Sequence, residues 1–284
     1  MTSMTKSIIS YAQNREDLLI FTMLKGQKKG FYIDVGANHP VQDSVTKLFY
    51  DNGWRGINIE PISKLHKLLE KYRPNDTNIN IGVSDKKGTL TLREYLNGLE
   101  GWSTFSKDIM NLRGKTPHID YVVKVETLAY IFRKHRVKEI DFLKVDVEGL
   151  EYEVLLGNDW KTYRPKIIII ENTPGEWSRL LEKVDYVDSY FDGLNHYFIR
   201  KDLIEKYGIQ NYEVLFEYQV LSSRESLLLK KTDQQSKEII NLSSRAAITE
   251  SKLNSFISHP ENVLSVKQLV RSLAKKAGRK ISHD

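Results

Sequence analysis

The chain of 284 residues has no cysteine. Disulfides, thiolate metal sites and cysteine nucleophiles are therefore excluded. It also lacks any apolar run near the roughly 18 residues that a membrane-spanning helix requires. The longest purely aliphatic stretch is Ile167 to Ile170. The first residues, MTSMTKSIISYAQNRED, lack the apolar core of a secretory signal, and the expected location is cytoplasmic. No internal repeat, low-complexity tract or nucleic-acid-binding module is visible.

What remains is ordinary globular composition, with 40% hydrophobic and 28% charged residues. The length suits one large domain with an appendage, or two small domains. The formal net charge is +6, and six Lys or Arg against one acid fall within residues 267–284. Much of the excess is thus local to one end rather than spread for a polyanion.

Apolar runs and turn residues place the elements. Phe31 to Val35 reads as a buried strand running into the turn Gly36-Ala37-Asn38. Residues 42–51 read as a helix ended by Gly53, and Gly56 to Ile59 as a second strand closed by Glu60-Pro61. Residues 63–72 carry Leu65, Leu68, Leu69 and Tyr72 on one helical face. Asn78 to Val83 reads as a third strand, and Gly88 to Tyr95 alternates as an exposed antiparallel strand. Residues 97–118 read as a long loop, which in a compact domain has a functional role or moves. Strand Tyr121–Val125, helix Leu128–His135, core strand Ile140–Val147, helix Leu150–Leu156 and core strand Ile167–Glu171 follow. A hairpin closes through Asp192-Gly193. Alternating strands and helices predict an α/β fold, a doubly wound and mostly parallel sheet with an antiparallel C-terminal hairpin. Its domain spans residues 1–210.

Ligands of such sheets bind at the carboxyl ends of the strands. Asp34-Val35-Gly36-Ala37-Asn38 ends the first strand, Glu60 the second, and Asp146-Val147-Glu148-Gly149 the fourth. Gly36 lets the backbone approach a ligand closely. Glu60 is placed to accept hydrogen bonds from ribose hydroxyls. The first loop reads G-A-N-H-P, not G-x-G-x-x-G, and Pro40 supplies no amide donor for a pyrophosphate. A ligand with ribose and no pyrophosphate fits better. S-adenosylmethionine is one, with Asp34 facing its amino group.

The stretches DVGANHPVQDSVTKLFYDNGWRGINIEP (34–61), IGVSDKKGTLTL (81–92), IDFLKVDVEGLEYEVL (140–155) and DGLNHYFI (192–199) resemble the FkbM family of methyltransferases over residues 10–200. The resemblance implies a class I S-adenosylmethionine-dependent enzyme that O-methylates sugars of polysaccharides, lipopolysaccharides or secondary metabolites. Position by position, it implies that Asp34, Gly36 and Asn38 line the methionine end of the cofactor. Glu60 would hold the ribose, Ser84 and Asp85 would sit near the adenine, and Asp146 would lie beside the sulfonium and the acceptor.

Methyl transfer to a sugar hydroxyl needs alignment and help in losing a proton. Asp146, Glu148 and His39 are the expected catalytic residues. The structural alternatives are an N-cap for Asp146, a favourable first-turn acid for Glu148 and a backbone-satisfied loop residue for His39. Glu171, ending strand five, is a further acceptor-facing candidate. Asp146, Glu148 and His39 also suit a divalent cation, Mg or Mn, in ligand type, although no spacing rule supports one. Trp102 in the long loop reads as a lid or sugar platform, or as a buried anchor. Lys144 reads as structural.

Two other readings stay open. One is a methyltransferase for a protein or small metabolite. The other is a cofactor-binding scaffold that recruits a glycosyltransferase. The second draws on residues 211–284, a helical tail in which thirteen positions from Val214 to Phe256 follow a 4,3 spacing, nine of them apolar. That pattern predicts a coiled coil, for self-association or a partner. The basic amphipathic end beyond it suits contact with an anionic membrane surface, or a solvated helix end.

Overall fold

Ile167 to Ile170 are all at most 1% exposed. A strand buried on both faces needs this continuous aliphatic run, because layers above and below exclude water from every side chain. Burying each isoleucine contributes roughly 1.5–3 kcal/mol. Ile168 and Ile170 enter one core and Ile167 and Ile169 the other. The strand is the spine of a sheet covered on both faces.

The computed structural model describes residues 6–24, 27–208, 218–222, 234–235 and 237–238. In chain order the elements are β1 (Lys6–Ser10), α1 (Glu16–Met23), β2 (Phe31–Val35), α2 (Lys47–Asp51), β3 (Arg55–Ile59), α3 (Ser63–Tyr72), β4 (Thr77–Ile79), β5 (Gly82–Val83), β6 (Gly88–Tyr95) and α4 (Lys107–Arg113). Then follow β7 (His118–Glu126), α5 (Leu128–Lys134), β8 (Phe142–Val145), α6 (Glu151–Leu156), β9 (Ile167–Glu171), α7 (Trp177–Lys183), β10 (Tyr186–Phe191), β11 (Asn195–Arg200), α8 (Ile204–Tyr207) and β12 (Tyr218–Ser222).

The main sheet has seven strands in the order β10-β11-β9-β8-β2-β3-β4. Strands β4, β3, β2, β8 and β9 run parallel, and β11 is antiparallel to both of its neighbours. The order reverses between β2 and β8, which opens a crevice at their carboxyl ends. One face packs Leu18, Ile20 and Met23 of α1 and Leu48 and Phe49 of α2. The other packs Ile131 and Phe132 of α5, Val154 and Leu155 of α6, and Leu181 of α7. The mostly parallel, doubly wound sheet and its antiparallel hairpin match the sequence expectation.

A second sheet, β5-β7-β6, stands apart. The sequence reads one strand over 78–83, whereas two strands in two sheets are found. The side chain of Asn80 donates to the carbonyls of Glu60 (2.8 Å) and Pro61 (2.9 Å), and β5 pairs with β7. Ile62 and Leu65 pack on Leu92 and Val123 of this sheet.

The expected loop 97–118 is largely ordered. It holds a 3-10 turn at Glu100–Trp102, an isolated bridge from Thr104 to Arg93, and α4. The Ser106 side chain caps α4 by accepting from the Ile109 amide, and Gly114 ends it at φ +51°. At the N-terminus the sequence reading placed no element, yet β1 and α1 form. Asp17 organises the entry by accepting from the Ser10 hydroxyl (2.7 Å) and the Tyr11 amide (2.7 Å).

Tyr218 and Leu221, two positions of the expected coiled coil, lie in β12, which runs parallel to β1. The compact unit accordingly extends to Ser223, and residues 224–284 form a second unit. Strand pairing with a partner remote in sequence has outweighed a local 4,3 spacing. Most of the coiled-coil positions and the whole basic end lie outside the described residues. Among the described residues, no helix is long and apolar enough to cross a membrane.

Candidate active site

The crevice is a cavity of about 610 Å³. Its walls come from the ends of β2, β3, β8 and β9, from the start of α3, and from the segment 98–103 above them.

The first wall is the β2 turn. Gly36 has φ +75°, and a Cβ there would lie 1.9 Å from the carbonyl oxygen of Asp146. Only glycine permits both the left-handed backbone and this approach of two strand ends. Asn38 is also left-handed, at φ +51°. Its amide donates to Glu60 Oε2 and the Ile62 amide to Glu60 Oε1, each at 2.7 Å. Glu60 thus ties the β2 turn to the start of α3. Burial pushes its pKa up to about 7, against the opposing pull of those two amides. Beside it, Ile62, Leu65, Ile81 and Leu92 form an apolar slot.

The second wall is the β8 turn. The Lys144 ammonium donates to the Gly36 carbonyl (3.0 Å) and lies 3.1 Å from Asp146 and 3.5 Å from Asp34. Burial opposes its charge, but Asp146 and Asp34 outweigh burial and raise its pKa above the usual lysine value. Glu148 sits at φ +58°. Burial raises its pKa, and Arg113 works against that rise through an ion pair at 2.5 Å. The Thr104 hydroxyl donates to the Glu148 carbonyl at 2.6 Å. Glu151 accepts from the Val147 amide (3.0 Å) and from Gly149, so it shapes the turn from within α6. The N-cap of α6 is Leu150, which leaves Asp146 free of that duty.

Arg113 spans the roof. It also donates to the Trp102 carbonyl and lies over the Trp102 ring, 5.2 Å from its centroid. Trp102 is 46% exposed, so it stands at the mouth rather than serving as a buried anchor. Lys64 of α3 pairs with Glu100 at 2.8 Å and with Glu94 at 2.9 Å, fixing the other side of the roof.

The expected site residues divide. Gly36, Asn38, Glu60, Asp146 and Glu148 line one cavity. Asp34 does not line it. At 1% exposure it lies beneath, accepting from the Thr46 hydroxyl at 2.8 Å and facing Lys144. His39 is not brought in either. Its Nδ1 accepts from the amides of Val41 (3.2 Å) and Gln42 (3.0 Å), and burial lowers its pKa. Ser84 and Asp85 line a separate cavity of about 530 Å³, because the chain turns into the second sheet at Gly82. Ile81, Gly82 and Val83 face the main cavity in their place.

Lys144, read as structural, is in the site, as are Arg113 and Glu171. Carboxylate oxygens of Asp146, Glu148 and Glu171 lie within 4.8 Å of one another. His39, the expected nitrogen ligand of a Mg or Mn ion, is not with them. Lys144, shared between Asp34 and Asp146, and Arg113, paired with Glu148, offset part of the negative charge of this cluster.

No curated protein matches the sequence. Among solved structures, the chain is similar to M. capricolum TrmK in complex with the natural cofactor product S-adenosyl-homocysteine. Identity is 17%, with 90% of this chain and 95% of that chain covered and a TM-score of 0.33, too distant a likeness to bear on the site. The family model for the methyltransferase FkbM domain matches residues 34–201, more than half of the chain, from the end of β2 through β11. The chain belongs to the FkbM methyltransferase family.

Proposed function

We propose that the protein transfers a methyl group from S-adenosylmethionine to a sugar hydroxyl of a polysaccharide, lipopolysaccharide or glycolipid precursor. The residues suit the cofactor. The apolar slot of Ile62, Leu65, Ile81 and Leu92 can hold a base, and the buried Glu60 can accept from ribose hydroxyls. Asn38 and Asp146 offer polar partners for the amino-acid end. When bound, the cofactor supplies an electrophilic methyl on a sulfonium. The protein's own residues align an acceptor oxygen, keep water out and receive a proton.

The observation that carries the sugar reading is the half-exposed Trp102 ring at the mouth of a cavity lined by Asp146, Glu148 and Glu171. An aromatic face stacks on a sugar ring, and carboxylates accept its hydroxyls. The test is transfer of labelled methyl to a panel of deoxysugars and lipopolysaccharide fragments, alongside proteins and small metabolites. Label in the saccharides supports the reading. Label confined to proteins or metabolites overturns the sugar class and leaves the methyltransferase.

A further inference from the structure

We propose that Glu171 is the residue that takes the proton from the acceptor hydroxyl, and that the positive charge of the methyl donor holds it in its ionised form. This inference rests on the methyltransferase reading above.

Glu171 ends β9 and lines the cavity, with its Oε2 buried and without a hydrogen-bond partner. The neighbouring carboxylates differ in this respect. Asp146 is paired with Lys144, Glu148 with Arg113, and Glu151 is consumed by the Val147 and Gly149 amides and the Thr173 hydroxyl. A buried carboxyl oxygen with no partner is costly unless a ligand supplies one. Of the carboxylates around the β8 and β9 ends, Glu171 is thus the one with a buried oxygen that no protein group satisfies.

The charges around it set its resting state. Asp146 and Glu148 face it from the β8 turn and Glu151 from α6, with Lys144 of β8 the opposing cation. Arg113 of α4 is committed to Glu148. On β11, Asn195 is the strand partner of Glu171, and its amide donates to Glu16 of α1. Burial first, and then the three acids, raise the Glu171 pKa to about 9, which favours the neutral carboxyl at neutral pH when no further cation stands beside it. A sulfonium entering this cavity replaces that proton as the compensating positive charge. The ionised Glu171 is then a base matched to a weakly acidic hydroxyl.

The step balances. The acceptor O–H bond breaks and its proton passes to Glu171 as the oxygen–methyl bond forms. The sulfur–methyl bond breaks with its electron pair left on sulfur. A cation beside a carboxylate becomes a neutral thioether beside a neutral acid. The departing product no longer opposes reprotonation of Glu171.

The donor and its demethylated product differ only in the methyl and its charge, so calorimetry can test this without the acceptor. S-adenosylmethionine and S-adenosylhomocysteine are titrated at pH 8 in two buffers of different ionisation enthalpy. The expected result is release of up to about one more proton with the methyl donor than with the product. The excess is lost in Glu171→Gln, which still binds both ligands. Equal proton counts for the two ligands on the unaltered protein overturn the assignment, whether or not the variants fold. An excess that survives Glu171→Gln overturns it as well. Binding of neither ligand overturns the methyltransferase reading itself, which is a distinguishable failure.

Discussion

Glu60 is buried and Glu171 is half-buried at the cavity wall, and the raised pKa of Glu171 has a consequence for stability. The Glu171 pKa is raised from the ordinary 4.5 to about 9 in the fold. Between those values the folded chain binds a proton that the unfolded chain does not, so this group lowers stability progressively as pH rises through that window. Glu171→Gln keeps the shape and removes the charge. It is expected to raise the melting temperature by about 2–4 °C per kcal/mol recovered, more at pH 8.5 than at pH 5.5, in paired thermal melts. A gain independent of pH would mean that the carboxyl is not held neutral. The two glutamates also show what could be read from residues alone. Glu60 follows from its place at the end of a short strand before Pro61. Lys144 and Arg113 do not, because a lysine inside a strand and an arginine at the end of a short helix carry no local mark of the carboxylates they meet. Lys144 reaches the Gly36 carbonyl and Asp34 of a different strand. Arg113 reaches Glu148, 35 positions away. His39 and Asp34 flank the first turn in sequence, yet neither reaches the cavity. One satisfies backbone amides of its own turn, and the other lies one layer below the cavity.

The β2 turn and the roof are the elements on which the site depends. A methyl at Gly36 meets the Asp146 carbonyl and imposes a left-handed backbone on alanine. Gly36→Ala is expected to destabilise the fold by about 2 kcal/mol or more, read as a lower denaturant midpoint, and to abolish cofactor binding. The roof is held by Arg113 and Lys64. Arg113→Ala removes the contacts to Glu148 and Trp102 together. Faster hydrogen exchange across 100–113 and a red-shifted Trp102 emission are expected, with exchange in β8 and β9 unchanged. Unaltered exchange in the roof would show that the Arg113 contacts do not hold it. Strands β2, β3, β8 and β9 were legible because each is a short run rich in apolar residues that ends at a glycine or an acid. Helix α4 was not, because seven residues between Ser106 and Gly114 are too few for a periodic signal. The split between β4 and β5 turns on the side-chain bonds of Asn80, which periodicity does not register.

At the scale of the whole molecule, the order of strands creates the crevice, and the family's matched region ends with β11. The parallel pairing of β1 with β12 brings Tyr218–Ser222 into the same compact unit. A chain ending at Ser223 is therefore expected to fold cooperatively and to bind cofactor as tightly as the full chain. Weaker binding by the shortened chain in the same titration would tie residues 224–284 to the site. Binary pattern alone was enough for the fold class, since four of the five parallel strands of the main sheet are followed by a helix. It was not enough for the ends of the chain, where remote strand pairing decides the structure.

The cavity between β2, β3 and β8 is proposed to hold S-adenosylmethionine. The most direct test is a calorimetric titration of that ligand into the full-length protein and into Glu60→Ala. Saturable binding by the unaltered protein is expected, weakened at least about tenfold in the variant, as loss of charge-assisted hydrogen bonds worth roughly 1.5–3 kcal/mol implies. No binding by the folded protein, or equal binding by a folded Glu60→Ala, would contradict it.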